Sequence, residues 1–189
     1  MNTQTIMKQK ILIATITLLT SFAANAQKYY TKNGNIVFFS KTSMENIKAD
    51  NNQVMSVINT QTGDVQFSVL IKSFHFEKAL MEEHFNENYL ESEKFPKATF
   101  KGMIADLSKV SFGTDGIYPV TVSGDMMIHG VTKKTTAAGT ITIKGGTISA
   151  TSKFFVRLAD YNVSIPSLVK DNIAESVEVT VNSNFDQKM

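Results

Sequence analysis

The chain contains no cysteine and no tryptophan, and only three prolines in 189 residues. Without cysteine no disulfide can staple the fold, so packing and hydrogen bonding must carry its stability. The same absence excludes anchoring through a lipidated N-terminal cysteine. Net charge is also missing. Two of the 19 basic residues, Lys8 and Lys10, fall in the first 26 positions, and the remainder balances at 17 basic against 17 acidic. A neutral chain has no electrostatic reason to seek DNA, RNA or anionic lipid surfaces. No basic patch is interleaved with aromatics, and no repeat or low-complexity tract is present. What the chain does have is bulk, in 13 Phe and nine Met, which suits an irregular apolar interior or an adaptable binding surface.

The N-terminus reads as an export signal. Lys8 and Lys10 form a basic start, Ile11 to Leu19 is an apolar run, and Ala24-Asn25-Ala26 supplies the small-x-small pattern of a cleavage site. The apolar run is about half the ~20 residues a membrane span needs, and no stop-transfer pattern follows. Cleavage after Ala26 is expected to leave Gln27 to Met189 as one domain in the periplasm or outside the cell, with no membrane anchor.

Beyond the signal the pattern is that of strands. Ile36 to Lys41 follows the turn pair Asn33-Gly34, and Gln53 to Thr60 sets Val54 and Ile58 against Met55 and Val57. Val65, Phe67, Val69 and Ile71 share one face of a third strand, with Gln66, Ser68 and Lys72 opposite. The period then changes. Glu77 to Leu90 is rich in helix formers, and Leu80, Met81, His84, Phe85 and Asn88 fall on one helical face. Pro96 ends this insertion. Strands resume over Ala98 to Leu107, Tyr118 to His129, Thr135 to Lys144, Thr147 to Leu158 and Ser176 to Phe185, the middle pair joined at Gly145-Gly146. Eight strands in hairpin succession favour an antiparallel barrel, which removes the exposed edges, with a short helical insertion between strands 3 and 4. A two-sheet sandwich fits the same count.

Motifs for chemistry are sparse. His84 and Glu87 are three apart and could touch one ion, but nothing nearby completes a shell, so no metal site is expected. No G-x-S-x-G, H-E-x-x-H or phosphate loop occurs, and no catalytic residue is assigned. Arg157 and Asp160 lie three apart and suit either an ion pair at the barrel end or a contact to a ligand head group.

Three stretches resemble the YceI-like family. MEEHFNENYLESEKFPKATF (Met81 to Phe100) is similar to its histidine-bearing helix that leads through an aromatic and a proline into an A-T-F strand. VSGDMMIHGVTK (Val122 to Lys133) resembles its G-D-L-T-I-H-G-V-T-K block, and RLADYNV (Arg157 to Val163) its R-x-D-F/Y-G/N-I block. Met126-Met127 and Asn162 depart from the usual residues. The resemblance implies a lipocalin-like, eight-stranded antiparallel β-barrel from an exported envelope protein that holds an isoprenoid or similar lipid non-covalently. On that reading Phe67, Val69, Phe85, Phe95, Phe100, Met126, Ile128 and Phe154 line the lumen. Gly124, Gly139, Ala150 and Ser152 leave it room, and His84, Arg157 and Asp160 serve a lid or head group. No other cofactor is implied, and an isologous homodimer is the ordinary default. Two alternatives remain: an envelope enzyme on a lipid or acyl substrate using His84 or Asp125, and a filled barrel serving as a structural or stress protein. The export reading predicts that the protein recovered from the producing cell begins at Gln27. N-terminal sequencing and intact mass check this, and a retained Met1 or Met7 start would refute it.

Overall fold

The computed structural model describes residues 27–189, so the predicted signal segment lies outside the described residues. The chain runs β1 (Lys28–Lys41), β2 (Asn46–Asn59), β3 (Asp64–Leu70), β4 (His75–Phe76), α1 (Ala79–His84), β5 (Lys97–Ile104), β6 (Gly116–Ile128), β7 (Val131–Lys144), β8 (Thr147–Arg157), β9 (Ser176–Phe185) and β10 (Gln187–Lys188). The eight long strands pair antiparallel in sequence order, and β1 pairs with both β2 and β9. The sheet therefore closes, and every long strand has two neighbours. β4 adds two residues beside β2, and β10 lies against the start of β1. The expected eight-stranded antiparallel barrel is the observed fold, with its single short helix between β3 and β5.

The alternating pattern places the core. Val54 and Ile58 are buried while Met55 between them is exposed, as the two faces of a pleated strand require. One end of the barrel is solid. Ile58, Val65, Ile104, Val110, Ile141, Ile143, Ile148 and Phe185 pack there, and the β5–β6 connection folds Leu107 and Phe112 onto them. Among the described residues Asn86 Oδ1 is the one buried side-chain oxygen or nitrogen without a partner. Ser56 Oγ meets Ser183 Oγ at 3.1 Å, and Asn51 donates to the Leu70 carbonyl at 2.9 Å.

Three local readings differ from the sequence pattern. Asn33-Gly34 does not precede β1 but lies inside it, where the register with β2 slips on both sides of Gly34. A turn pair can equally serve as a bulge, and this one bends β1 from β10 toward β9. His129 and Gly130, at φ 50° and 73°, form a two-residue hairpin turn, so β7 starts at Val131 rather than Thr135. The helix is shorter than Glu77 to Leu90. It ends at His84 and continues as one wider π turn, Phe85–Tyr89. Met81 and Phe85, four apart, face the barrel, and Leu80 beside them is 60% exposed.

Gly102 and Gly124 stand directly opposite each other on β5 and β6. A Cβ on Gly124 would come within 2.3 Å of the Lys101 carbonyl oxygen and 2.4 Å of Gly102 Cα. The strands approach this closely because neither carries a side chain there. The role expected for Gly124, opening space in the lumen, is replaced by this strand contact. Gly124→Ala should therefore cost about 1–3 kcal/mol, because backbone rather than a flexible side chain must yield. Gly113→Ala, whose Cβ meets nothing within 4 Å, should stay within about 0.5 kcal/mol of wild type. Urea denaturation of the two variants reads this difference directly, and equal midpoints would contradict it.

Candidate functional site

The other end of the barrel is hollow. A cavity of about 380 Å³ opens there, and none of the eight buried residues that fill the closed end lines it. Side-chain size along the strands explains the division. On β7 the inward positions run Thr135, Ala137, Gly139, Ile141 and Ile143, small toward the open end and large toward the closed one. Ser152 on β8 and Ala98 and Thr99 on β5 add further short side chains to the cavity wall. An eight-stranded barrel is just wide enough to be filled by its side chains, so short ones leave a void.

The wall is almost wholly apolar. Phe67, Val69, Phe85, Phe100, Met126, Ile128 and Phe154 all line it, and His84 reaches it from α1. Ser152 lines the cavity, whereas Gly124, Gly139 and Ala150 do not. Sequence reasoning missed Phe38, Phe74 and Phe76. With Phe85 they form a cluster of four rings, centroids 5.0–5.6 Å apart, that seats the helical segment against β1. Such pairs contribute roughly 0.5–1.5 kcal/mol each beyond area burial. The signal was present in the period of two that joins Ile36, Phe38 and Ser40.

Phe95, Arg157 and Asp160 are not where the sequence pattern put them. The Phe95 ring packs edge-on against His129 at 4.6 Å and fills the space a Cβ on Gly130 would need. Arg157 is exposed because Phe154 and Val156 take the inward positions of β8. The following 3₁₀ turn, Leu158–Tyr161, sends Leu158 and Tyr161 to the cavity and leaves Asp160 in solvent.

Two long connections and two tight turns ring the open end. The long ones are the β3–β5 segment carrying α1 and the β8–β9 segment from 158 to 175. Each tight turn, on opposite sides of the ring, stitches the long ones together. At the β6–β7 turn, His129 Nε2 meets Glu91 Oε2 at 2.7 Å, and Nδ1 meets the Tyr161 carbonyl at 3.2 Å. Both partners are acceptors, so the pairing is complete when the ring carries both protons. At the β1–β2 turn, Glu45 accepts from Lys78 Nζ at 3.0 Å and from Asn172 Nδ2 at 3.1 Å. The turn itself is closed by Thr42, whose Oγ1 accepts the Glu45 N–H at 3.0 Å. Hydrogen bonds from Lys78 and then Asn172 hold the Glu45 carboxyl below the usual carboxylate range, against burial that pushes it up. Burial pushes the Tyr89 phenol, also on the cavity wall, above its ordinary value. Among the described residues no group of three or more His, Asp or Glu side chains is placed to hold a metal ion. No helix among them is long and apolar enough to cross a membrane.

A closed antiparallel barrel, solid at one end and hollow and apolar at the other, is the architecture of small-ligand-binding β-barrels. The chain belongs to the YceI-like domain family, whose model matches residues 24–185. Solved structures share the fold. A polyisoprenoid-binding domain from Saccharophagus degradans, implicated in plant cell wall breakdown, aligns with TM-score 0.71 at 15% identity, over 83% of this chain and 96% of that one. Burkholderia cenocepacia BcnA aligns with TM-score 0.65 at 16% identity, over 79% and 94%. The Campylobacter jejuni YCEI protein aligns with TM-score 0.54 at 15% identity, over 78% and 90%. No protein of curated function matches the chain.

His129→Asn keeps a residue that tolerates positive φ but is too short to reach both partners. It should cost about 1.5–3 kcal/mol, the range for a hydrogen bond to a charged group. Amide hydrogen exchange should rise in residues 79–95 and stay at the wild-type rate in β7 and β8. Unchanged exchange over 79–95 would show that this contact does not hold the segment down.

Proposed function

We propose that the protein is an exported, non-enzymatic binding protein that carries an isoprenoid or other long-chain apolar lipid in its lumen. On this reading residues 1–26 are removed as a signal, residues 27–189 form the carrier domain, and the protein works in the periplasm or outside the cell. The observation that supports it is the cavity of about 380 Å³ with its apolar wall. Pockets for small molecules begin at roughly 300 Å³. The polyisoprenoid-binding relative from Saccharophagus degradans shares the barrel, which makes the same ligand class the natural one to test.

Size narrows the reading further. A cavity of about 150 Å³ lined by aliphatic and aromatic side chains takes up one benzene. By the same ratio, 380 Å³ takes a chain of roughly 15 carbons, about three isoprene units. A longer tail would have to leave through the mouth. Withdrawing ~15 carbons from water yields about 12 kcal/mol at ~0.8 kcal/mol per CH₂. Association and ordering of a flexible chain take back several kcal/mol. What remains is on the scale of micromolar affinity, about −8 kcal/mol. No bond to the lipid is made or broken in this mechanism; the barrel only shelters it.

Organic extraction of the purified protein, followed by mass spectrometry, should release an isoprenoid or fatty lipid. Ala137→Phe places a ring in the hollow half and should lower the recovered lipid at least ~10-fold while the fold persists. Natively folded wild type that neither carries nor takes up such a lipid would end the carrier reading.

A further inference from the structure

The hollow half has a polar corner that carries the one carboxylate among its lining residues. Ser40, Glu45 and Asn172 all line the cavity there. They come from the end of β1, the β1–β2 turn and the β8–β9 connection. Ser40 is 2% exposed, and its Oγ accepts the Ala174 N–H at 2.9 Å. Among the described residues no acceptor meets the hydrogen of this hydroxyl. A hydroxyl both accepts and donates, so a buried donor is left facing the cavity. Glu45 is held ionised by Lys78 and Asn172, one on each carboxylate oxygen. A carboxylate has about four lone-pair sites, so each oxygen keeps capacity for another donor. Lys78 does not line the cavity, and its side chain is 64% exposed. The charge that faces the lumen here is the negative one.

We infer that Ser40, Glu45 and Asn172 form a head-group subsite that selects lipids ending in an uncharged, hydrogen-bond-donating group such as an alcohol, and rejects phosphate or carboxylate heads. This rests on the carrier reading and specifies it. An alcohol on a chain threaded into the apolar half can donate to Glu45 and accept from Ser40 at once. A phosphate in the same place has no hydrogen to give Glu45 when fully ionised, and it brings a second negative charge beside the first. In a partly dehydrated site such a like-charge contact outweighs what one serine hydroxyl returns. The apolar wall alone would not separate two ligands with the same tail. Discrimination between them has to come from polar groups on the wall, and this corner holds its one carboxylate.

The test uses the full mature chain and two probes with one tail, farnesol and farnesyl phosphate, each competing against a fluorescent fatty probe at constant ionic strength. Wild type should prefer farnesol by ~10-fold or more, the factor that corresponds to one modest like-charge contact. Glu45→Gln should bring the two within about 2-fold, chiefly by improving farnesyl phosphate. Lys78→Met leaves Glu45 without its counter-ion and should widen the preference by several-fold. A residue that only braced the fold would move both ligands together, so opposite shifts in the two variants are the signature. Should Glu45→Gln fail to fold, Lys78→Met alone still decides, because Lys78 lies outside the cavity. Equal binding of both probes by wild type, or an unchanged ratio in Lys78→Met, would overturn the head-group assignment and leave the carrier reading standing. Failure of both probes to bind natively folded protein would overturn the two together.

Discussion

Closure of the sheet is the constraint from which everything else follows. Once β1 pairs with both β2 and β9, every long strand has a neighbour on each side, and no strand is left at the end of an open sheet. Closure also fixes the width of the interior at eight strands. Inward side chains must then either fill that width or leave it empty. Here they do both. Isoleucine and phenylalanine fill the closed end, while alanine, serine and threonine leave the open end hollow. The solid half supplies packing that a chain without disulfides needs, and Phe67 and Val122 lie where it meets the hollow half.

The open end shows the same economy of means. Two long connections would flap over a wide mouth if nothing held them. Two tight turns, each one reaching both connections, hold them from opposite sides through Glu45 and through His129. The aromatic cluster of Phe38, Phe74, Phe76 and Phe85 adds an apolar seal beneath α1. The polar contacts set the position of these segments, and the rings set their depth. Glu45 and Asn172 also reach the cavity wall, most of which is apolar.

The comparisons show a shared barrel at 15–16% identity over most of the chain. Identity that low transmits architecture, since the alternation of inward and outward positions survives almost any exchange of one apolar residue for another. It does not transmit cargo. Cargo depends on how large the inward side chains are near the mouth and on which few polar groups interrupt them. In this chain short side chains on β5, β7 and β8 line the cavity, and Ser40, Glu45 and Asn172 stand on its wall.

Fold class, strand number, the helical insertion and family membership were all legible in the order of residues. A period of two along each strand is a local property, and so is the change of period at the insertion. For the same reason the strand-borne positions Phe67, Val69, Phe100, Met126, Ile128 and Phe154 could be assigned to the inner face by counting. Counting failed where the chain leaves the strands. Phe95 turned out to brace His129, Arg157 and Asp160 face solvent, and Glu45 and Asn172, 127 residues apart, meet at one corner. Loop residues carry no period that reveals their direction, and partners so far apart in sequence are joined only by the closure of the ring. Strand alternation was therefore written in the amino-acid order itself. Which end is hollow, and what guards it, was decided by the tertiary structure, because both depend on side chains from different strands competing for one enclosed volume.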